Sequence, residues 1–248
     1  MAALTLEKLT VKFGGLVAVN ELDLHIRDGE LRCLLGPNGA GKSTTLDLIC
    51  GKTSPTSGRV LLGNQDITHL PEFKRARAGV GRKFQTPTVF KDLSVIENLE
   101  IGRSAFPGVF STMRIFRTPV RGRIREVLSL VGLEDEIYTK AENLSHGQTQ
   151  WLEIAMLLMQ DCRVILMDEP TAGMTVQETK QTASLFRELQ GEHTMIVVEH
   201  DMAFVRDIAE IVTVMDGGSL LAEGSITEIE TNAAVREAYL ADTGDDDA

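Results

Sequence analysis

Leu31-Arg-Cys-Leu-Leu35-Gly36-Pro37-Asn38-Gly39-Ala40-Gly41-Lys42-Ser43-Thr44 is the stretch that decides the fold of this chain. Leu31–Leu35 is a short, mostly apolar run stopped by glycine, which suits a buried central strand. From Gly36 to Ser43 the residues fit G-x-x-x-x-G-K-[ST], a loop that cradles phosphate between a strand and a helix. Its glycines let successive backbone N–H groups turn inward and approach phosphate oxygens closely. The helix expected over Lys42–Cys50 spaces Leu46 and Ile49 at i, i+3, with Gly51 placed to end it. Its positive end points at the same phosphates. In this arrangement Lys42 reaches the β- and γ-phosphates of a nucleotide, and the Ser43 hydroxyl binds Mg²⁺.

Upstream, Leu4, Leu6, Leu9, Val11 and Phe13 roughly alternate, and Leu22, Leu24 and Ile26 keep a strict period of two before the turn at Asp28–Gly29. These read as half-buried strands of an antiparallel edge. Far downstream, Val164-Ile165-Leu166-Met167 is an apolar strand that delivers Asp168 and Glu169 at its carboxyl end, the edge where open α/β sheets bind ligands. Asp168 is suited to hold Mg²⁺. Glu169 is expected to point the other way, as adjacent strand residues do, and to orient and deprotonate a water. A helix around Gln177–Leu189 precedes a strand at Met195–Val198. Ile211–Val214 and Ser219–Ala222 flank Asp216-Gly217-Gly218, a strong hairpin signal.

Between these α/β parts, residues 86–160 carry helical stripes: Ile124, Val127, Leu128 and Val131 in one segment, Trp151, Ile154, Ala155 and Leu158 in another. The expected organisation is therefore a discontinuous α/β core, 1–85 and 161–248, with an inserted helical subdomain over 86–160. Ala105–Pro119 is expected to be an irregular connection, and 241–248, with its aspartates, a disordered tail.

Composition narrows the function classes. At 248 residues, 43% hydrophobic and 25% charged, the chain suits one sizeable α/β fold. Its longest apolar runs fall far short of the ~20 residues that a spanning helix needs. A formal net charge of −11 argues against nucleic acid as a partner. Cys33, Cys50 and Cys162 match no metal spacing and are expected reduced and buried.

Three further pieces carry a resemblance. Leu144-Ser145-His146-Gly147-Gln148 precedes a helix and resembles the signature peptide of ABC ATPases. Gln85, in Lys83-Phe84-Gln85-Thr86, looks like that family's Q-loop glutamine, and His200 like its switch histidine. The order of phosphate loop, Gln85, signature, Asp168-Glu169 and His200 matches the family over nearly the whole chain. The resemblance implies a P-loop ATPase that uses ATP and Mg²⁺. Gly36 to Thr44 would hold the phosphates, Phe13 would stack on adenine, and Ser43, Gln85 and Asp168 would serve the metal. Lys42, Gln85, Glu169 and His200 would serve hydrolysis. Ser145, Gly147 and Gln148 would cap the γ-phosphate bound to a second ATPase subunit, so that two composite sites form in a dimer.

Two residues depart from the common pattern. His146 replaces the usual glycine at the second signature position, and Thr175 stands where an aspartate often makes a cross-dimer contact. Within the family the chain looks like importers of branched-chain amino acids, amides and urea. Gly81–Phe90, Leu144–Glu153 and Ala172–Thr175 resemble an ATPase subunit of the urea importer. The implied assembly is a second ATPase chain, transmembrane permease subunits and, indirectly, a solute-binding protein, with this chain peripheral at the cytoplasmic face of the cell membrane. Competing expectations are a branched-chain amino acid importer, a soluble non-transport ABC ATPase, a P-loop kinase and an exporter ATPase.

Overall fold

The structure is a computed structural model that describes residues 2–83, 89–104, 119–160 and 162–242. The expected Q-loop glutamine, Gln85, lies outside the described residues, as do 105–118 and the end of the tail, 243–248.

Along the chain run β1 (Ala2–Phe13), β2 (Leu16–Arg27), β3 (Leu31–Leu35), α1 (Lys42–Cys50), β4 (Ser57–Leu62), β5 (Gln65–Asp66), α2 (Glu72–Ala78) and β6 (Val80–Lys83). Helices α3 (Val95–Ser104), α4 (Pro119–Val131) and α5 (His146–Leu158) follow. The chain then alternates β7 (Val164–Asp168), α6 (Val176–Leu189), β8 (Thr194–Val198) and α7 (Met202–Ile208). It ends with β9 (Ile211–Asp216), β10 (Ser219–Gly224), α8 (Ile226–Thr231) and α9 (Ala233–Asp242).

Two sheets result. The antiparallel one has the order β2-β1-β4-β5, and the other runs β10-β9-β3-β8-β7-β6. In the second sheet β9, β3, β8, β7 and β6 are parallel, and only β10 returns antiparallel. The β9–β10 turn has positive φ at both Gly217 (51°) and Gly218 (81°), the pair of angles that a tight hairpin with right-handed twist requires.

Period-two alternation in the parallel strands divides the interior into two cores. Leu31, Cys33, Leu35, Ile165, Met167, Met195 and Val197 face the helices α4 to α7. Leu34, Val164, Leu166, Ile196 and Val198 face α1 and the antiparallel sheet. The parallel sheet is thus the middle of three layers, buried on both faces, which explains its near-continuous apolar strands. The expected helical stripe of α4 is buried as read, since Ile124, Val127, Leu128 and Val131 all join the first core. Between β6 and β7 the described residues form helices and turns, with one isolated Ser94–Lys140 bridge. Their apolar faces share a core with β3, β7 and β8. Pro119, placed by sequence at the end of an irregular connection, instead opens α4, where its fixed φ and missing N–H are at home. All three cysteines are buried.

Candidate functional site

Because β3, β6, β7 and β8 are parallel, their carboxyl ends meet at one edge. That edge gathers the Gly36 loop, Lys83, Asp168 with Glu169, and Glu199 with His200. Local sequence dictates the loop. Gly36 has φ 146°, and a Cβ there would stand 2.1 Å from the Met215 carbonyl oxygen. Gly41, at φ 96°, starts α1 without any side-chain cap. The first N–H groups of α1 are therefore offered to the loop's concave side, an anion site by construction. Lys42 is buried and donates from Nζ to the Gly36 and Pro37 carbonyl oxygens at 2.6 and 2.8 Å, which keeps its ammonium over the loop.

Asp168 is the last residue of β7 and lies on the α1 side of the sheet, like Leu166 two residues before it. The Ser43 hydroxyl donates to Asp168 Oδ1 at 3.3 Å. Burial pushes the Asp168 carboxyl above its ordinary range, while the Ser43 hydroxyl and the Arg82 guanidinium pull it back. A hydroxyl and a carboxylate converging beside a phosphate loop are oxygen donors of the kind that Mg²⁺ takes.

Glu169 corrects one expectation. It is turned by its backbone and not by strand alternation: its φ is +48°, and its N–H donates to Val198 O at 2.9 Å. The turn brings Glu169 Oε1 to 3.2 Å from His200 Nε2. Two residues 31 positions apart by number, singled out separately by sequence, thus form one carboxylate–imidazole pair.

Ser145 caps α5 through a capping box with Gln148: its Oγ accepts from the Gln148 N–H, and its own N–H donates to the Gln148 side chain. Gly147 lies against α6, since a Cβ there would meet Glu178 Oε1 at 2.2 Å. Glu178 is itself engaged by Thr175, the N-cap of α6. His146 stands beside Gly147. It is exposed, but its Nε2 sits 3.0 Å from the Ala172 carbonyl oxygen. The two departures, His146 and Thr175, therefore belong to one junction between the start of α5 and the loop before α6. Phe13, at the end of β1, is 51% exposed. Trp151 packs at the α5–α6 junction as expected, and also donates from Nε1 to Thr182 Oγ1 at 2.9 Å.

Three groups escaped sequence reading. Glu199, 4% exposed, accepts from the Thr171 hydroxyl at 2.6 Å, the Thr171 N–H at 3.1 Å and the His200 N–H at 3.1 Å. It ties the loop after Glu169 to the loop carrying His200. Lys83, fully buried, pairs with Glu153 of α5 at 3.5 Å. Arg82, its neighbour, reaches Asp168. Each is a charge in an apolar setting, whose signal exists only once strands are paired.

The sequence profile described as "ABC transporter" matches residues 19–172. The chain belongs to the ABC transporter family. It is an ATP-binding cassette, and its ATP hydrolysis is coupled to transport. Among curated relatives of this ABC protein is the high-affinity branched-chain amino acid transport ATP-binding protein LivG of Salmonella typhimurium. LivG is 36% identical over 247 residues, covering 96% of this chain and 97% of LivG. The ADP conformation of MJ1267, an ATP-binding cassette of an ABC transporter, superposes with a TM-score of 0.85 at 30% identity, covering 97% and 99% of the two chains. The dimeric post-hydrolysis structure of the cassette MJ0796 bound to ADP and Pi gives 0.75 at 27% identity, covering 90% and 98%. Both likenesses bear out the expected α/β ABC fold. Among the described residues, no helix of this cassette is long and apolar enough to cross a membrane.

Proposed function

We propose that this cassette is one ATPase subunit of a solute importer for branched-chain amino acids, acting at the cytoplasmic face of the membrane beside a second ATPase chain. Transmembrane permease subunits would carry the solute, delivered by a solute-binding protein. The observation that carries the catalytic part is the convergence of Ser43–Asp168 and Glu169–His200 beside the Gly36 loop. The amino-acid cargo rests on full-length relatives such as LivG.

In this reading the backbone from Gly36 to Thr44, with Asn38, Gly39 and Ala40 at the loop's bend, holds the ATP phosphates, and Phe13 stacks on the adenine. Lys42 exchanges its carbonyl partners for phosphate oxygens. Ser43, Asp168 and Gln85 would hold Mg²⁺, which would supply charge neutralisation at the phosphates. Glu169 accepts the proton of the attacking water, and His200, 3.2 Å away, keeps that carboxylate aimed and donates to the γ-phosphate. Ser145, Gly147 and Gln148 cap the nucleotide of the partner chain, so ATP favours the closed dimer and phosphate release reopens it.

Urea is a second reading of the cargo. It rests only on the resemblance of Gly81–Phe90, Leu144–Glu153 and Ala172–Thr175 to the urea importer's ATPase subunit.

Uptake of trace labelled leucine and urea by cells carrying Glu169→Gln decides between them. Losing its general base should lower hydrolysis roughly a hundredfold or more and trap an ATP-bound dimer. Loss of leucine uptake alone supports the amino-acid reading, and loss of urea uptake alone replaces it. A variant hydrolysing ATP at the unmutated rate removes Glu169 from its role.

A further inference from the structure

Two adjacent residues at the end of β6, Arg82 and Lys83, carry buried charges to opposite faces of the parallel sheet. The register explains why. Arg82 pairs with Leu166 and Lys83 with Met167, so Arg82 shares the α1 face with Leu166 and Asp168, whereas Lys83 faces α5 and Glu153. On the α1 face the Arg82 side chain is only 6% exposed. Its Nη1 donates to Asp47 of α1 and lies 3.2 Å from Cys50 Sγ. Its Nη2 approaches Asp168 Oδ2 at 3.6 Å, and that carboxylate is 5% exposed.

The two oxygens of Asp168 thus have different neighbours. Oδ2 faces the guanidinium, and Oδ1 faces the Ser43 hydroxyl at 3.3 Å. Ser43 and Asp47 both belong to α1, so Arg82 and Ser43 tie the same carboxylate to one rigid helix from two sides. A charge buried only to satisfy Asp47 would need one end of the guanidinium. The fork's other nitrogen is turned to Asp168, a use that the planar, five-donor group allows and an ammonium does not.

From this geometry we propose that Arg82 is a positioning residue for metal binding: it holds Asp168 so that Oδ1, beside Ser43, is presented to Mg²⁺. The inference rests on the reading of Asp168 as a Mg²⁺ ligand. Partners of this outer kind set ligand orientation, and losing one typically weakens a metal site tenfold to a hundredfold.

The test is a titration of Mn²⁺, followed by its paramagnetic resonance, into the full chain saturated with ADP. It is run on the unmutated protein, Arg82→Met and Arg82→Lys, with ATP affinity measured alongside in EDTA. Arg82→Met should weaken Mn²⁺ binding by roughly tenfold or more while metal-free ATP affinity stays within about twofold. Arg82→Lys, which retains the charge but not the fork, should fall between. Should Arg82→Met fail to fold, the lysine variant decides alone. Unchanged Mn²⁺ affinity in Arg82→Lys overturns the proposal. So does a parallel loss of metal-free ATP affinity, which marks a general prop of α1. An unmutated protein that binds no Mn²⁺ with ADP present overturns the reading of Asp168 itself, and the proposal with it.

Discussion

Glu199 brings a carboxylate into the protein at the end of β8, and both its oxygens accept hydrogen bonds, one from the His200 N–H and the other from Thr171. It touches no reacting atom, yet it sets the spacing between the loop of Glu169 and the loop of His200. Replacing it with glutamine turns one acceptor into a donor facing the His200 or Thr171 N–H, at a cost of about 1–3 kcal/mol. Glu199→Gln is therefore expected to lower kcat roughly tenfold while leaving ATP affinity unchanged. Steady-state kinetics beside equilibrium ATP binding check that split, and an equal loss of both would mean that Glu199 only supports the fold. Lys42, Ser43, Asp168 and Glu169 were legible in sequence because each sits in a short local motif, at the start of α1 or the end of β7, and His200 was legible only through the family resemblance. Arg82 and Glu199 were not. Their partners lie across the sheet, and nothing within a few residues says that an arginine after Val80-Gly81 should be buried against an aspartate 86 positions on by number.

At the scale of elements, β1, β2, β3, α1, α4 and the β9–β10 hairpin followed their periodicities, whereas α5, read as a one-sided stripe, is buried on nearly every side, with Leu152, Met156 and Leu157 inside as well. The stretch holding β4, β5 and α2 gave no such signal, because glycine, proline and serine crowd its start and α2 carries Lys74, Arg75 and Arg77 with no apolar stripe. Structure supplies the reason that α2 exists. Arg75, 1% exposed, donates to the carbonyl oxygens of Leu48 and Ile49 at the end of α1, and to those of Thr68 and Leu70. A cation on the last carbonyls of α1 also complements that helix's negative end. The phosphate-loop helix is thus seated from below by a residue outside every recognised motif. Arg75→Leu would leave several buried carbonyls without donors and should destabilise the protein by about 3 kcal/mol or more. Urea denaturation reads this directly, and a midpoint within experimental scatter of the unmutated protein would contradict it.

Across the whole molecule, carboxylates bound at helix starts and in buried pairs decide the response to acid. Hydrogen bonds from the Thr175 N–H and hydroxyl hold Glu178 below its ordinary value of 4.5, and Ser225 does the same for Glu228. Burial pushes Glu30 up, but its bonds to Arg32 and Arg27 outweigh this and leave it low. Groups lowered on folding contribute stability that is complete above the ordinary carboxyl value and is lost as pH falls through the lowered one. Asp168 runs the other way, since burial raises it and protonation relieves a cost. Bonds from Thr68 and Ser94 likewise lower Asp66 and Glu97, so with five lowered carboxylates against one raised among the described residues, the melting temperature should hold above about pH 5 and decline below about pH 4.5. Scanning calorimetry across that window tests the sign, and a rise in stability on acidification would reverse the assignment.

The bond from Trp151 to Thr182 has a consequence of another kind. Trp151 is the chain's one tryptophan, and it stands where α5 meets α6, at the junction that also holds Gly147, Glu178 and His146. Intrinsic emission excited at the indole band therefore comes from that single seam. Any rotation of the α5 layer against α6 during turnover would alter its hydrogen bond and wetting, and would be visible as a colour shift in the unlabelled protein.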